Sequence, residues 1–538
     1  MIVNKTMFPV QTGFSVISQM QQQLSDMQMQ LGSGQKASTL AGMGRDLPMS
    51  LSVRSRLDKI EGYSGNIDII DLRLSFLDKA MSRFDAIESE ARTAVTTGDY
   101  GTNDINMATL PGLSLARLDE VVTMLNQDVA GRYLFGGNVT DKPPVQTTDV
   151  LLNGEGGRLG YRQILSERLA ADQGTDGLGR LSLPAVVAGS GAVHLAEDGT
   201  HPFGYKLSTV STNGAPAIAV TQPAGTPKDL SVTFSAEPTP GQHVIIGMTL
   251  PDGSETQITL TATTDAIPGD GGFQIDADPD VMAANFRTAL ETSLKQKTSG
   301  ELQAASTFAA AKDFFDEAGI PKRPAGGPPA TSLVDADPAE VVFWYAGETS
   351  ADPRSSVAAK VDDATTAKYG IQATESGLLK LVRTQAALAV TTYPVEADVR
   401  ATPAIEQIRL DAMALPDDAT RVAKLEEYEA AVSAGYRQSR DLFDGMASRQ
   451  QKAMSEGHNA EAGSIERITM DLAVATMASH SASERHTNYK NQLENLLTNV
   501  ETVSQNDTAM AILALQTRLQ ASYQVTAAVS KLSLSNYM

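Results

Sequence analysis

The chain has 538 residues and a formal net charge of −21, from 43 Lys and Arg against 64 Asp and Glu. This balance argues against electrostatic binding of nucleic acid or anionic lipid, which requires clustered positive charge. Because the sequence contains no cysteine, it excludes disulfides, thiolate metal sites and a cysteine nucleophile, and six histidines remain for metal or acid–base chemistry.

Charge is distributed unevenly along the chain. Residues 6–44 contain two charged side chains and residues 508–538 contain two more, whereas most of the net negative charge lies between residues 146 and 455. A surface helix normally carries Glu and Lys on its outer face. The two ends of this chain present Gln, Ser, Thr and Asn there instead.

No run of residues approaches the roughly 18 consecutive apolar side chains of a membrane span, so we expect no membrane insertion. The start carries Lys5 without an apolar segment behind it, and we therefore expect no Sec-type signal peptide.

The N-terminal segment has the apolar spacing of a coiled-coil helix. Its predicted seam has residues three and four positions apart, namely Ile17, Met20, Leu24, Met27 and Leu31. Gly32 and Gly34 predict its end, because glycine readily takes the left-handed conformation that closes a helix. A second helix with the same rhythm is predicted over residues 53–91, with one slip near Gly62 and Gly65.

A third helix is predicted by the seam Leu115, Leu118, Val122, Leu125 and Val129. It is followed at residues 131–137 by Gly-Arg-Tyr-Leu-Phe-Gly-Gly, which predicts a turn that carries three apolar or aromatic side chains.

Between about residue 145 and residue 415, Gly and Pro become more frequent and apolar residues alternate over short runs. Two strands joined by a tight turn are predicted at residues 243–250 and 255–263. The other predicted elements are helices at 279–295 and 376–389, a strand at 341–345 and a proline-rich loop or linker at 320–330. This composition indicates an α+β region of one or two small modules.

Helical spacing returns at residue 416. A long helix is predicted over residues 465–504, with the seam Tyr489, Leu493, Leu496 and Val500. Asn506 and Asp507 are predicted to break it, with Asp507 or Thr508 capping the last helix. The seam of that last helix is Ile512, Leu515, Leu519 and Val529.

The order of these elements predicts the fold class. A narrow apolar stripe cannot bury itself alone and needs a partner helix. We therefore predict a mainly α coiled-coil bundle formed by the N- and C-terminal segments, with an inserted α+β middle region of one or two small modules.

Signals for catalysis or metal binding are weak. His480 and His486 lie six residues apart on the predicted helix and so point to different faces, which is typical of surface histidines. The segments at 32–39 and 154–160 do not match phosphate-binding or dinucleotide-binding loops. We therefore expect that the protein is not an enzyme, and that it has no catalytic residue, no metal ligand and no cofactor.

The end helices permit two interpretations: a coiled-coil stalk or dimerisation arm, or contacts between subunits of a polymer. A two-stranded coiled coil in water normally carries charges beside its seam. The scarcity of charge on every face therefore favours the polymer.

Three segments carry a resemblance to a known family. They are the turn Leu-Gly-Ser-Gly-Gln-Lys at 31–36, the element Gly-Arg-Tyr-Leu-Phe-Gly-Gly at 131–137, and the closing Leu-Ser-Leu-Ser-Asn-Tyr-Met at 532–538. Together with the terminal heptads they resemble the flagellin superfamily, and most of all its hook–filament junction branch. The motif residues are Arg132, Tyr133, Leu134, Phe135, Leu532, Leu534 and Tyr537.

The resemblance implies a domain layout and a non-enzymatic structural role. The implied parts are an N-terminal polymerisation helix at 1–45 that is disordered in the monomer, two halves of a helical rod domain at 46–145 and 416–505, inserted surface domains at 146–415, and a C-terminal polymerisation helix at 506–538. The implied partners are further copies of the chain in a ring or helical assembly, flagellin, another hook-associated protein and an export chaperone. The implied location is the extracellular bacterial flagellum, reached by type III export.

Two features depart from the family pattern. Arg45-Asp46-Leu47-Pro48 stands where Ser-Asp-Asp-Pro is common, and the insert is large for a junction protein. The second feature keeps the main-filament flagellin as an alternative. A secreted adhesin or enzyme on a helical stalk is a further alternative, from a different functional class.

Overall fold

A computed structural model describes residues 8–326, 330–416 and 418–535 of the chain. The helices are α1 (Phe8–Ser33), α2 (Leu47–Ala94), α3 (Ile105–Leu125), α4 (Thr148–Asn153), α5 (Tyr161–Gln173), α6 (Pro279–Lys297), α7 (Gln303–Phe314), α8 (Pro353–Ser356), α9 (Ser376–Val390), α10 (Glu396–Arg400), α11 (Pro403–Met413), α12 (Ala419–Ala453), α13 (Ile465–Glu501) and α14 (Gln505–Ser535).

The strands are short and lie mostly in the middle of the chain. They are β1 (Asp128–Val129), β2 (Arg132–Tyr133), β3 (Leu181–Ser182), β4 (Ala192–Glu197), β5 (Lys206–Thr212), β6 (Ile218–Ala224), β7 (Asp229–Phe234), β8 (His243–Thr249), β9 (Glu255–Thr263), β10 (Gly272–Gln274), β11 (Lys322–Pro324), β12 (Leu333–Asp335), β13 (Ala358–Lys360) and β14 (Thr366–Lys368). The predicted arrangement of long helices at both ends and an α+β middle is confirmed at this level.

Two four-stranded sheets form the core of the middle region, in the orders β3-β4-β7-β6 and β10-β9-β8-β5. Neighbouring strands in both sheets are antiparallel except β10 and β9, which run parallel. Side chains of both sheets and of α6 share one buried apolar cluster, which includes Leu195, Val232, Ile246, Leu260 and Phe286. The predicted hairpin is confirmed as β8 and β9, paired from His243–Thr261 to Thr249–Glu255.

The chain divides into two compact units. The first contains residues up to Leu72, Ala359–Ala367 and the residues from Thr476 onward; the second contains Arg73–Ala358 and Lys368–Ala475. The first unit is built from helices of both chain ends and one short β-hairpin segment. The second contains both four-stranded sheets, the C-terminal part of α2, the start of α13 and the helices between them.

The helix α2 shows why a long uninterrupted helix forms here. Every seventh residue from 53 to 95 is buried, and all but one are apolar: Val53, Ile60, Ile67, Leu74, Met81, Glu88 and Val95. Such a spacing keeps one stripe of a helix on the same side over many turns. The helix continues through Gly62 and Gly65, where a slip in the pattern is predicted.

Four predicted elements differ in the structure. Val341 and Tyr345 form isolated bridges, to Leu159 and Val145, and not a strand. Residues 341–345 have the apolar and aromatic side chains of a buried strand. Most of these side chains are buried in a core, but the segment has no regular partner strand.

The proline-rich segment predicted as a loop contains β11, which pairs with β12. Val129 lies in β1 and not in α3, because that helix ends at Leu125. The break before the last helix falls at residues 502–504, earlier than Asn506 and Asp507. Ser504 Oγ accepts a hydrogen bond from Asp507 N at 3.3 Å, so Ser504 and not Asp507 provides the side-chain cap.

Within the part of the chain that the structure describes, no helix is both long enough and apolar enough to cross a membrane.

Candidate assembly surfaces

The N- and C-terminal helices α1 and α14 pack on each other along their predicted seams. Ile17, Leu515 and Leu519 form a buried cluster, with Met20, Leu24 and Met27 half-buried around it. Ile512 is buried on the same stripe of α14, and Leu31 is half-buried on α1. These predicted seam residues of the two chain ends are therefore brought together.

Polar contacts show the relative direction of α1 and α14. Gln21 Nε2 donates to Tyr523 Oη at 2.5 Å, and Ser522 Oγ donates to Met20 Sδ at 3.8 Å. Gly34, just after α1, accepts through its carbonyl oxygen from Val503 N, just before α14. The end of α1 thus lies beside the start of α14, and the two helices run antiparallel.

The α1–α14 pair leaves large apolar side chains in solvent. On α1 and α14 these are Phe14, Val16, Met29, Met510, Leu513, Tyr523, Val525 and Val529. The sequence of these helices holds four charged residues, Asp26, Asp507, Arg518 and Lys531. We call the exposed apolar residues in the list above the outer face. A surface so rich in apolar and so poor in charged side chains is typical of an interaction site.

A network of backbone and side-chain contacts ties the two chain ends together near Lys36 and Glu501. Lys36 N donates to Glu501 O at 2.7 Å, and Lys36 Nζ pairs with Asp46 at 3.2 Å. The Arg54 guanidinium donates two hydrogen bonds to the Glu501 carboxylate, of 2.8 and 2.6 Å, and Ser50 Oγ donates to it at 2.5 Å. The hydrogen bonds from Arg54 and then Ser50 lower the pKa of Glu501 below its ordinary value. These contacts join the segment after α1, the start of α2 and the end of α13.

Within the first unit, α13 packs on α2. Val53, Ile60 and Leu493 form a buried cluster, and Leu496 is half-buried beside it. Val500 is buried further along the same stripe, whereas Tyr489 is 40 % exposed and its hydroxyl accepts from Arg56 Nη1 at 2.8 Å. Leu493 and Leu496 of the predicted seam thus pack on α2, whereas Tyr489 contacts α2 through its hydroxyl at the edge of the pair.

A short hairpin adds contacts that sequence reasoning missed. His486 is buried: its Nε2 donates to Val361 O at 2.8 Å, and its ring stacks on Tyr63 at 5.4 Å between centroids. Asp363 accepts from the Tyr63 hydroxyl at 2.9 Å and pairs with Lys59 at 2.5 Å. The expectation that His486 lies on the surface is wrong, because a chain segment more than a hundred residues away covers it. His480 is exposed.

The predicted seam of α3 lies in the second unit, whereas α1 and α14 belong to the first. Leu118, Val122 and Leu125 are buried there, but Leu115 is 40 % exposed. The buried stripe passes through Leu110 and Ser114 instead. Val129 is buried in β1.

Residues 132–135, on which part of the resemblance rests, form the second strand of a small hairpin and the segment after it. Arg132 is exposed and Tyr133 half-buried, while Leu134 and Phe135 are buried. The Phe135 ring meets Phe84 of α2 edge to face, with centroids 5.7 Å apart. This motif therefore packs the core of the second unit. The side chains of Leu532 and Leu534, and Tyr537 as a whole, lie outside the described residues.

Over residues 8–326, 330–416 and 418–535, the structure contains no group of three or more His, Asp or Glu side chains placed to hold a metal ion.

Comparison of the chain with protein-family models, with curated proteins and with solved structures finds no match in any of the three.

Proposed function

We propose that this protein is a structural subunit of the bacterial flagellum that joins hook-associated protein to the flagellin filament, in the manner of the third hook-associated protein. Its terminal helices build the inner wall by packing against copies of themselves and against flagellin. The chain is exported by the type III route with a chaperone, and it catalyses no reaction.

One observation carries the proposal: the outer face of the α1–α14 pair exposes large apolar side chains on helices with almost no charge. Exposed apolar surface costs free energy in water at about 25 cal/mol for each Å² that a partner could cover. Helices that remained in solvent would be expected to carry charges on that face. In the proposed assembly, neighbouring subunits bury the apolar side chains of the outer face.

The seams support a finer description of the fold. Buried or half-buried residues at 508, 512, 515, 519, 522 and 526 of α14 alternate between steps of four and three. This is the repeat of a coiled coil. We propose that α1 and α14 form a coiled-coil pair, and that it becomes fully ordered on assembly because narrow seams alone are marginally stable.

Main-filament flagellin is the second candidate. The length of the region between residues 146 and 415 favours it, because the resemblance implies a smaller insert for a junction protein. Quantification of the protein in purified flagella separates the two: a junction ring contains on the order of ten subunits for each flagellum, a filament thousands.

The test replaces Leu513, which is 64 % exposed on the outer face, by glutamate. Leu513→Glu places a charge where a neighbouring subunit is proposed to pack, and leaves the contacts of Leu515 within the chain intact. We expect loss of swimming motility and of attached filaments, measured by tracking and electron microscopy of cells that carry the variant as their only copy.

The matched control is Ile267→Glu, because Ile267 is also apolar and is 91 % exposed, but lies in the loop after β9. It should leave motility unchanged. Normal filaments with Leu513→Glu would contradict the proposed assembly surface. An adhesin or enzyme on a stalk would keep surface binding or activity in both variants.

A further inference from the structure

The second unit contains a large cleft outside the proposed assembly surfaces. Its volume is about 870 Å³. Its walls come from the β8–β9 turn at 250–254, from α7, from α9 and from α12. Small-molecule sites commonly have volumes of about 300–1,000 Å³, so the cleft is of a size to hold an organic ligand.

The cleft is rich in cations although the chain is acidic. Seven Lys or Arg side chains line it against six Asp or Glu, whereas the whole chain has 43 against 64. The balance of charge is thus reversed locally. The lining has one positive charge in excess, whereas the whole chain is strongly negative, and a local positive excess favours anionic ligands.

Most carboxylates of the cleft are already engaged by the protein. Arg449 Nε donates to Asp252 at 2.6 Å, Lys297 pairs with Glu301 at 3.2 Å, and Arg168 pairs with Asp313. Burial alone would raise the pKa of Asp252, but the Arg449 charge and the hydrogen bonds from Ser254 hold it below the ordinary value.

The two other inner carboxylates are also hydrogen-bonded. Asp441 accepts from Gln296 Nε2 at 3.2 Å, and Asp444 accepts from the Tyr100 hydroxyl at 2.8 Å. Glu255, the sixth, is exposed. Asp441 and Asp444 keep their negative charge, because their hydrogen-bond donors are neutral, but among the described residues neither forms an ion pair with Lys312, Arg383 or Lys452.

Three cations of the cleft lack a close ionic partner. Lys312 of α7 and Lys452 of α12 make no ion pair among the described residues. Arg383 of α9 donates Nε to Phe315 O at 2.9 Å, and its ion pair with the exposed Glu317 is 3.9 Å long. Burial lowers the pKa of Arg383, so an anionic ligand would relieve an unfavourable desolvation of its guanidinium.

We infer that this cleft binds an organic anion with two or more phosphate or carboxylate groups. Lys312, Arg383 and Lys452 bind the charged groups, because ammonium and guanidinium groups form strong charge-assisted hydrogen bonds with such oxygens. Leu250 and Phe308, which also line the cleft, contact the body of the ligand. This inference is independent of the proposed role in the flagellum.

The test is isothermal titration calorimetry on the full-length chain at constant ionic strength. The probes are fructose 1,6-bisphosphate, citrate and neutral fructose, which distinguish phosphate from carboxylate and both from the uncharged body. We expect saturable binding of at least one anion and none of fructose. Lys312→Gln and Lys452→Gln should each weaken that binding about tenfold.

Lys79→Gln is the matched control, because Lys79 is an exposed lysine on α2 that does not line the cleft. It should leave the affinity unchanged. The inference is overturned if neither anion binds saturably, if both cleft variants bind like the parent, or if Lys79→Gln weakens binding as much as they do. Thermal unfolding of each variant checks that the two exposed lysines are dispensable for folding.

Discussion

Glu88 is the one ionisable side chain in the seven-residue register of α2. It is 8 % exposed, and its neighbours in that register are Met81 and Val95. Burial, and then the negative charge of Glu466, raises the pKa of Glu88 to about 7, although Arg92 and Lys380 partly oppose the shift. The folded state therefore holds a proton on Glu88 at pH values where the unfolded chain has released it.

This raised pKa predicts a pH dependence of stability. Because the folded state binds the extra proton, the free energy of unfolding should fall as pH rises from about 4.5 to about 7, and this contribution should then stay constant. Glu88→Gln removes the titration, so we expect it to be more stable than the parent by about 1–3 kcal/mol at pH 8 and similar to it at pH 4.5. Urea unfolding at the two pH values measures the difference.

The control is Asp78→Asn, because Asp78 is an exposed carboxylate on the same helix. It should shift stability by the same small amount at both pH values. A Glu88→Gln variant that gains no stability at pH 8 would contradict a raised pKa of the buried Glu88 carboxyl.

At the scale of elements, nearby residues of α14 lie in different environments, some in the buried seam and some on the exposed outer face. Leu515 is buried against α1, whereas Leu513, two positions earlier, is largely exposed. A residue two positions away on a helix points to a different side. The seam residue therefore holds the chain's own helix pair together, and the outer-face residue is the one that would contact another subunit in the proposed assembly.

This difference predicts distinct effects of the same substitution at the two positions. Leu515→Glu buries a carboxylate in the seam at a cost of several kcal/mol, so α1 and α14 should separate. Limited proteolysis of the monomer should then cut both helices faster than in the parent. Leu513→Glu should leave the cleavage rate unchanged, since it does not touch the seam. Equal protection of Leu515→Glu and the parent would mean that the seam does not form in the monomer.

The whole molecule combines two units that a truncation can separate experimentally. Residues 506–538 belong to the first unit, and the second unit makes its own sheets and buried cores. We expect that deletion of 506–538 abolishes assembly, observed by sedimentation velocity, but leaves the thermal transition of the second unit unchanged in calorimetry. A truncated chain that still assembles would show that α14 is not needed in the wall.

The sequence by itself determined the elements whose signal is local. The steps of three and four in α1 and α14, the alternation in β8 and β9, and the helices at α6 and α9 each depend on side chains within one element. The lack of cysteine and the low charge of the chain ends could likewise be stated from composition alone. The strand predicted at 341–345 was wrong because an apolar run is equally compatible with irregular buried chain.

Only the tertiary structure decided which seams meet and what covers them. Leu115, Tyr489 and Val529 have the right spacing yet are 40 % exposed, while Glu88 and His486 are buried. The cleft is also invisible in the sequence, since Lys312 and Lys452 lie 140 positions apart. The physical reason is that periodicity specifies which face of a helix is apolar, whereas the partner of that face depends on contacts between segments distant in the chain.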